Sequence, residues 1–233
     1  MSKYLYFAVF LLCIMVLAGC TETEPKIEAK LPCHSDYLLP WSYKLGEVKV
    51  AQSNNMGPTH NDNQMEYAYD FSLKEGQEIL ASRDGLVSYV EKRFEPNTCN
   101  PIADPSYYKK ANYVVIDHKD RTSAVYMHLS EVSVDVGDNI KQGEIIGKAG
   151  KTGYTSCTPH LHYQVQKTSK SYWGQSILTD FAEVAGCFPK KGDKLISANG
   201  RDKNSLVLVK PAYAAEVEPT LVPTQTDEPE IDS

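Results

Sequence analysis

Two histidines lie on either side of one leucine in the stretch TPHLHYQVQ, residues 158–166. Residues two apart on a β-strand project from the same face, so His160 and His162 would present their imidazoles together while Leu161 points into the core. Imidazoles arranged in this way can bind a metal or transfer protons. An isolated His-x-His motif is nevertheless more often a solvated sheet face, so the rest of the chain has to decide between these interpretations.

Further side chains of the same chemistry occur in two other segments. VYMHLS places His128 at the end of a predicted strand, and THNDNQMEYAYDF supplies His60 and Asp70. Four of the six histidines in the chain therefore fall in three short segments. A catalytic zinc site needs three nitrogen or oxygen ligands and one open position for water. Two histidines and one aspartate meet this need, which leaves two histidines for proton transfer beside the metal.

Taken together, these segments resemble the lysostaphin/LytM-type zinc metallopeptidases, which cut peptide bonds in bacterial peptidoglycan. The resemblance extends from about Gly57 to Gln166. It includes, in order, H…YAYDF, ILASRDGLVSYV, NYVVIDH, VYMHLSEVSVDVGDNIKQGEIIGKAGKTG and PHLHYQV. It implies one zinc ion, a peptidoglycan peptide as substrate, and hydrolysis of cross-link peptide bonds through a metal-activated water.

The resemblance also implies a role for each polar residue. His60, Asp70 and His162 would be the zinc ligands. His128 and His160 would be catalytic, orienting or deprotonating the water and stabilising the tetrahedral intermediate. The commonest form of the family has its first two ligands closer together in sequence than His60 and Asp70, which are ten positions apart here.

Two other functions are compatible with parts of the sequence. Family members that have lost ligands act as regulatory modules that activate cell-wall amidases, but none of the five site positions is replaced here. The segment VDVGDNIKQGEIIGKAG is similar to half of a biotinyl or lipoyl carrier domain. Lys141, Lys148 and Lys151 lack the exposed hairpin setting of a modified lysine, so this segment is better explained as scaffold.

Short strand signals predict an all-β domain over residues 41–195, and the resemblance implies a compact antiparallel β-sandwich of the barrel-sandwich-hybrid kind. EILASRDGLVSYVEK predicts two strands about an Asp-Gly turn, and NYVVIDHKDRTSAVYMHL predicts a hairpin that turns at 119–121. Residues 92–111 form a predicted loop longer than a turn requires, which is typical of a functional or locally stapled segment.

The N-terminus predicts export. Residues 1–19 have a short charged start and an apolar run, as in a secretory signal. The motif LAGC resembles the lipobox of bacterial lipoproteins, which implies that Cys20 is lipidated and anchors the chain to a membrane; an unlipidated signal or a membrane anchor is the alternative. Thr21 favours the outer membrane, facing the periplasm, if the cell is Gram-negative. Residues 20–40 would then be a tether.

Cysteine usage agrees with an oxidising compartment. Apart from Cys20 and one cysteine in the signal, four cysteines remain: Cys33, Cys99, Cys157 and Cys187. An even number favours two disulfides, for which three pairings are possible. Cys99–Cys157 with Cys33–Cys187 is preferred because Cys33 and Cys187 flank the domain.

The net charge of −6 comes from the C-terminal end of the chain. Six acidic residues and no Lys or Arg follow Lys210, so the rest of the chain is close to neutral. Residues 211–233 are acidic and rich in Pro and Thr, which predicts disorder, and residues 196–210 predict a peripheral strand. Without a basic patch, a nucleic-acid partner is not expected.

Overall fold

The computed structural model describes residues 35–57, 59–100, 102, 104–169 and 171–201. The predicted signal peptide, Cys20, Cys33, the acidic tail, and most of the tether and of the peripheral strand lie outside these residues. Within the described part, the helical segments are two 3₁₀ helices, Tyr43–Leu45 and Pro105–Tyr107. No helix among the described residues has the length and apolar character needed to cross a membrane.

Among the described residues, twelve strands form two antiparallel sheets, which confirms the predicted all-β antiparallel fold class. The strands are β1 Glu47–Gln52, β2 Tyr69–Phe71, β3 Glu78–Leu80, β4 Gly85–Glu91, β5 Tyr113–Asp117, β6 Thr122–Met127, β7 Glu131–Val132, β8 Asn139–Ile140, β9 Ile145–Lys148, β10 Leu161–Lys167, β11 Ser176–Ile177 and β12 Lys194–Ile196. The large sheet has the order β12-β1-β2-β10-β6-β5-β4-β8, with β11 beside β10. The small sheet has the order β3-β9-β7.

Side-chain alternation on the central strand β10 separates the core from the opposite face of the sheet. Leu161, Tyr163 and Val165 are buried in the hydrophobic core. On the neighbouring strand β2, Tyr69 and Phe71 enter the same core. The intervening residues of both strands must therefore project from the other face, because successive side chains of a strand alternate.

Two local predictions had different outcomes. The hairpin over NYVVIDHKDRTSAVYMHL is present, since β5 and β6 pair directly and the turn contains Lys119 and Arg121 with positive φ. The strands on either side of the Asp-Gly dipeptide also exist, but they do not form a hairpin. β3 pairs with β9 in the small sheet, whereas β4 pairs with β5 and β8 in the large one. The chain changes sheet here because more distant strands supply the hydrogen-bonding partners.

The packed region extends beyond the predicted range 41–195 at both ends. Leu38, Leu39 and Asn199 are buried. Asn199 Nδ2 donates hydrogen bonds to the carbonyl oxygens of Leu39 and Ala81. Apolar side chains at the start and a satisfied buried amide at the end therefore bring both flanks into the domain.

Glu183 is a buried carboxyl that connects the same two flanks. Its Oε1 accepts hydrogen bonds from the backbone N–H groups of Leu39, at 2.7 Å, and Ala198, at 3.3 Å, while its Oε2 has no hydrogen-bond partner. Burial raises the pKa of Glu183 from its ordinary value of 4.5 to about 7, against the effect of these hydrogen bonds. The reason is that the charged form loses its hydration on folding.

We expect Glu183 to make stability depend on pH. Because its pKa is higher in the folded chain than in the unfolded one, the carboxyl destabilises the fold fully above about pH 7, and this penalty disappears as the pH falls toward 4.5. At 1.36 kcal/mol per pKa unit the penalty is roughly 3 kcal/mol. Urea unfolding of wild type and Glu183→Gln at pH 5 and pH 8 measures it. The difference between the two proteins should shift in favour of the variant at pH 8, and a difference that is independent of pH would contradict this account.

Candidate metal centre

Strand register brings two of the predicted ligands together from distant parts of the chain. β2 and β10 pair so that Asp70 lies directly opposite His162. Both residues project from the face away from the core, and His162 Nδ1 is 3.1 Å from Asp70 Oδ1. This contact depends on the pairing of residues 92 positions apart.

The third predicted ligand, His60, comes from the loop between β1 and β2. His60 is fully buried, and its Nε2 lies 3.3 Å from Asp70 Oδ1. The loop is closed by a backbone hydrogen bond from Asn55 to Glu66 and by a turn in which Glu66 N donates to Asp62 O. The ten-residue spacing therefore contains a closed loop that folds back and returns His60 to the strand carrying Asp70.

The hydrogen bonds of these two histidines leave one free nitrogen on each ring facing Asp70. His60 Nδ1 is 3.2 Å from the carbonyl oxygen of Ser53, to which it can only donate. Its Nε2 is buried and makes no hydrogen bond. His162 Nε2 is 3.2 Å from Gln164 Oε1, so donation there leaves a lone pair on Nδ1.

A cation fits the space between these atoms. The three candidate ligand atoms all lie within 4.8 Å of one another. Two imidazole nitrogens and one carboxylate oxygen match the ligand types and number of a catalytic zinc site. Lone pairs that face one another in a buried place repel unless a positive charge lies between them, so the donor set of His60, Asp70 and His162 fits zinc.

Two more histidines adjoin this group, as expected for His128 and His160. Their ring centroids are 4.7 Å apart, and the His128 ring is 6.0 Å from that of His162. His128 Nδ1 contacts the Thr152 carbonyl oxygen at 2.7 Å, and His160 Nδ1 contacts the Thr158 carbonyl oxygen at 2.8 Å. Each ring thus uses Nδ1 as a donor and keeps Nε2 available, and His160 Nε2 is 3.8 Å from Asp70 Oδ1.

Two features of His128 are unusual. It follows directly after β6 with φ of +70°, a left-handed conformation that few residues other than glycine adopt. Such strain persists only where surrounding contacts hold it, and it concentrates at functional sites. Burial, followed by the nearby charges of His160 and His162, lowers the pKa of His128 well below its ordinary value. His128 is therefore neutral near pH 7, and its Nε2 keeps a lone pair that faces the site.

Asp70 is ionised in this environment. Burial alone would raise its pKa, but the close imidazole rings of His162 and His60 and the neighbouring His160 hold the pKa of Asp70 well below its usual range. One carboxylate oxygen surrounded by imidazole nitrogens carries the negative charge that a cation would balance. The structure thus assembles all five predicted residues, while their individual roles remain predictions.

A disulfide holds the segment that precedes His160. Cys99 and Cys157 are bonded, with their Cα atoms 5.5 Å apart, which is the pairing preferred from sequence. Asn97 adds hydrogen bonds to Lys151 and Gly153, so the predicted long loop is stapled to the residues leading to His160. The Cys33–Cys187 pairing involves a residue outside the described part of the chain and stays a prediction.

Removing this disulfide should lower stability without removing a metal ligand. We expect the double substitution Cys99→Ser and Cys157→Ser to cost about 2–4 kcal/mol, since a long closed loop of the unfolded chain is released. Chemical denaturation of the two oxidised proteins measures this loss, and zinc titration should give the same stoichiometry for both. Equal unfolding free energies would contradict the prediction.

Several residues that support the site were not singled out from the sequence. Gln164 contacts His162, Thr152 and Ser53 accept from His128 and His60, and the Trp173 ring stacks 6.2 Å from that of His162. Of these residues, only Gln164 could have been recognised from the sequence. It lies two positions after His162, so the strand period places it on the same face as His160 and His162. A hydrogen bond accepted by a backbone carbonyl oxygen cannot be predicted from residue type, because every residue has this group.

Comparison with known proteins shows which protein family has this fold and site. Residues 64–173 match peptidase family M23. The chain therefore carries an M23 peptidase domain, which confirms the resemblance to the lysostaphin/LytM-type metallopeptidases. The matched range contains Asp70, His128, His160 and His162, while His60 lies just before it.

The relatives include proteins named as peptidases and one that is not. Stage II sporulation protein Q of Bacillus subtilis is 37% identical over 103 residues, covering 43% of this chain and 35% of that protein. The peptidoglycan DD-endopeptidase ShyA of Vibrio cholerae is 33% identical over 96 residues, covering 41% of this chain and 19% of that protein. The matched part thus spans about a third or less of these relatives.

Among solved structures, the antimicrobial peptidase lysostaphin from Staphylococcus simulans aligns with a TM-score of 0.44 and 25% identity. The alignment covers 61% of this chain and 52% of that one.

Proposed function

We propose that this protein is a zinc endopeptidase that hydrolyses peptide bonds in peptidoglycan cross-links. One observation carries the proposal. All five site residues are present, and each of the four histidines has one ring nitrogen committed to a neighbouring oxygen and the other available to the site. Endopeptidase relatives of the M23 family support peptidoglycan as the substrate class.

The side chains of this chain divide the work between binding the metal and moving protons. His60, Asp70 and His162 would hold zinc, which when bound supplies Lewis-acid activation of water and of the scissile carbonyl. His128, kept neutral by burial, can take a proton through Nε2. His160, partly exposed beside it, can in its protonated form donate a proton from Nε2 to the leaving amine or a hydrogen bond to the developing oxyanion. The Ser53, Thr152 and Thr158 carbonyls and the Gln164 amide keep the rings in these orientations.

A regulatory module on the same fold is the second candidate. It is favoured by the similarity to stage II sporulation protein Q, whose name does not describe a peptidase. A module of this kind needs the surface of the fold but not an intact set of ligands. The complete site of five residues therefore favours the enzyme.

We also propose that the chain is exported and anchored to a membrane by lipid on Cys20, facing the periplasm from the outer membrane in a Gram-negative cell. The LAGC motif supports this proposal. Metabolic labelling with a fatty-acid analogue should mark wild type and not Cys20→Ser. Equal labelling of both proteins would contradict the anchor.

Digestion of purified peptidoglycan tests the enzymatic proposal. The protein is incubated with sacculi that contain D,D-cross-links and, separately, with sacculi that contain glycine bridges. Products are identified by mass. We expect cleavage that stops with a chelator and returns when zinc is added. Product masses then identify the bond that is cut. No cleavage of either substrate by the zinc-loaded protein, or cleavage that a chelator leaves unchanged, would overturn the proposal.

A further inference from the structure

Two buried glutamines continue the line of His162 along the same face of β10. Gln164 and Gln166 are both fully buried. A buried primary amide is costly unless its donors and acceptor are all paired, because burial removes its hydrogen bonds to water. The hydrogen-bond partners of these two amides therefore indicate which neighbouring groups the amides position.

The orientation of the Gln164 amide follows from its partners. Its Nε2 donates to the carbonyl oxygen of Gln64, at 3.0 Å, and to Gln166 Oε1, at 3.1 Å. Since both partners are acceptors, the nitrogen must be on that side and Oε1 must face His162. An oxygen at 3.2 Å from His162 Nε2 requires a proton on that nitrogen. Gln164 thereby selects the tautomer that leaves Nδ1 free beside Asp70.

Gln166 extends this chain of hydrogen bonds to the loop after β10. Its Oε1 accepts from Gly174 N at 2.9 Å, and its Nε2 donates to the Tyr172 carbonyl oxygen at 2.9 Å. Trp173 lies between these two anchor points and presents its ring to His162 at an interplanar angle of 24°. The segment that carries Trp173 is thus tied to the same row of amides as the candidate ligand.

We propose that Gln164 is a positioning residue that prepares His162 for the metal, and that Gln166 links this residue to the segment Tyr172–Gly174. The proposal rests on the zinc site assigned under the proposed function. Partners that orient a metal-bound histidine typically contribute 10–100-fold in metal affinity when removed. We expect the loss of the Gln164 acceptor to weaken zinc binding by a factor in this range.

Two substitutions separate positioning from a merely structural role. Gln164→Met removes the acceptor for His162 and both donated hydrogen bonds. Gln164→Glu keeps an acceptor facing His162 but cannot donate to Gln64 or Gln166. Both variants should therefore lose stability, while only Gln164→Met loses the hydrogen bond with His162. Zinc affinity is measured by competition with a chromophoric chelator, and unfolding free energy by urea denaturation.

We expect Gln164→Met to bind zinc about 10–100-fold more weakly than wild type, and Gln164→Glu to remain within about threefold of it although its unfolding free energy falls. Wild-type affinity in Gln164→Met would overturn the proposal. Equal weakening in both variants would overturn it as well, because affinity would then follow stability rather than the acceptor.

Gln166→Met is the matched control on the same face. It leaves the His162–Gln164 contact and the Gln64 partner in place, so zinc affinity should stay within about threefold of wild type, while the unfolding free energy falls because the hydrogen bonds to Tyr172 and Gly174 are lost. Loss of zinc affinity as large as that of Gln164→Met would overturn the division of roles. Metal affinity can be measured whether or not the protein cleaves peptidoglycan. Failure of the proposed enzyme therefore appears as inactive zinc-loaded wild type, and failure of this inference appears only in the comparison of variants.

Discussion

Replacing His162 by alanine is expected to abolish stoichiometric zinc binding and, with it, peptidoglycan cleavage. The substitution removes one of three donors that converge on a single region, and Asp70 and His60 alone make an incomplete site. Lewis-acid activation is worth several kcal/mol, so at 1.36 kcal/mol per tenfold change the rate should fall by at least about 10³-fold. Metal analysis of the purified protein and a cleavage assay measure the two effects.

His118→Ala is the matched control for this experiment. His118 is also buried, and its Nδ1 contacts the Asp84 carbonyl oxygen at 2.7 Å, but it packs against Tyr37 and not against the metal centre. The control should lose some stability and keep its zinc. If His162→Ala retained one zinc per chain, or cleaved peptidoglycan at the wild-type rate, the assignment of His162 as a ligand would be wrong.

Replacing His128 or His160 should give the opposite combination, with zinc retained and turnover lost. Neither side chain belongs to the group of three converging ligand atoms. A positioned acid or base contributes about 10²–10⁴-fold to a rate, so kcat should fall by this factor. Zinc stoichiometry and steady-state kinetics on a soluble cross-linked peptide separate the two effects.

The choice of substitution matters at His128. Its φ of +70° makes alanine a strained replacement, whereas asparagine tolerates this conformation. His128→Asn therefore tests the imidazole without changing the backbone requirement, and His160→Ala is suitable at its neighbour. Loss of zinc from either variant, or turnover within threefold of wild type, would show that these residues do not have the catalytic role.

Strand patterns were predictable where they depend on neighbouring residues. The alternation that buries Leu161, Tyr163 and Val165 was visible in the sequence, and so was the hairpin between β5 and β6. The Asp-Gly dipeptide was misleading as a hairpin signal. A turn residue specifies the local backbone conformation, but the partners of the strands on either side are chosen by packing elsewhere in the chain.

The sequence by itself determined which residues make up the candidate site. It contains the His-x-His motif, the strand end that carries His128 and the segment with His60 and Asp70, and family resemblance assigned an expected role to each of these residues. These inferences need only residue types, their spacing and the two-residue period of a strand, all of which are properties of neighbouring residues.

Only the tertiary structure decided how the residues meet. The register of β2 against β10 places Asp70 opposite His162, and a closed loop returns His60 to them. His128 itself adopts a left-handed conformation directly after β6, beside this group. The tautomers of the four histidines depend on their hydrogen-bond acceptors, which are the carbonyl oxygens of Ser53, Thr152 and Thr158 and the side-chain oxygen of Gln164. Register and loop closure are set by contacts between segments far apart in the chain, so no local pattern encodes them.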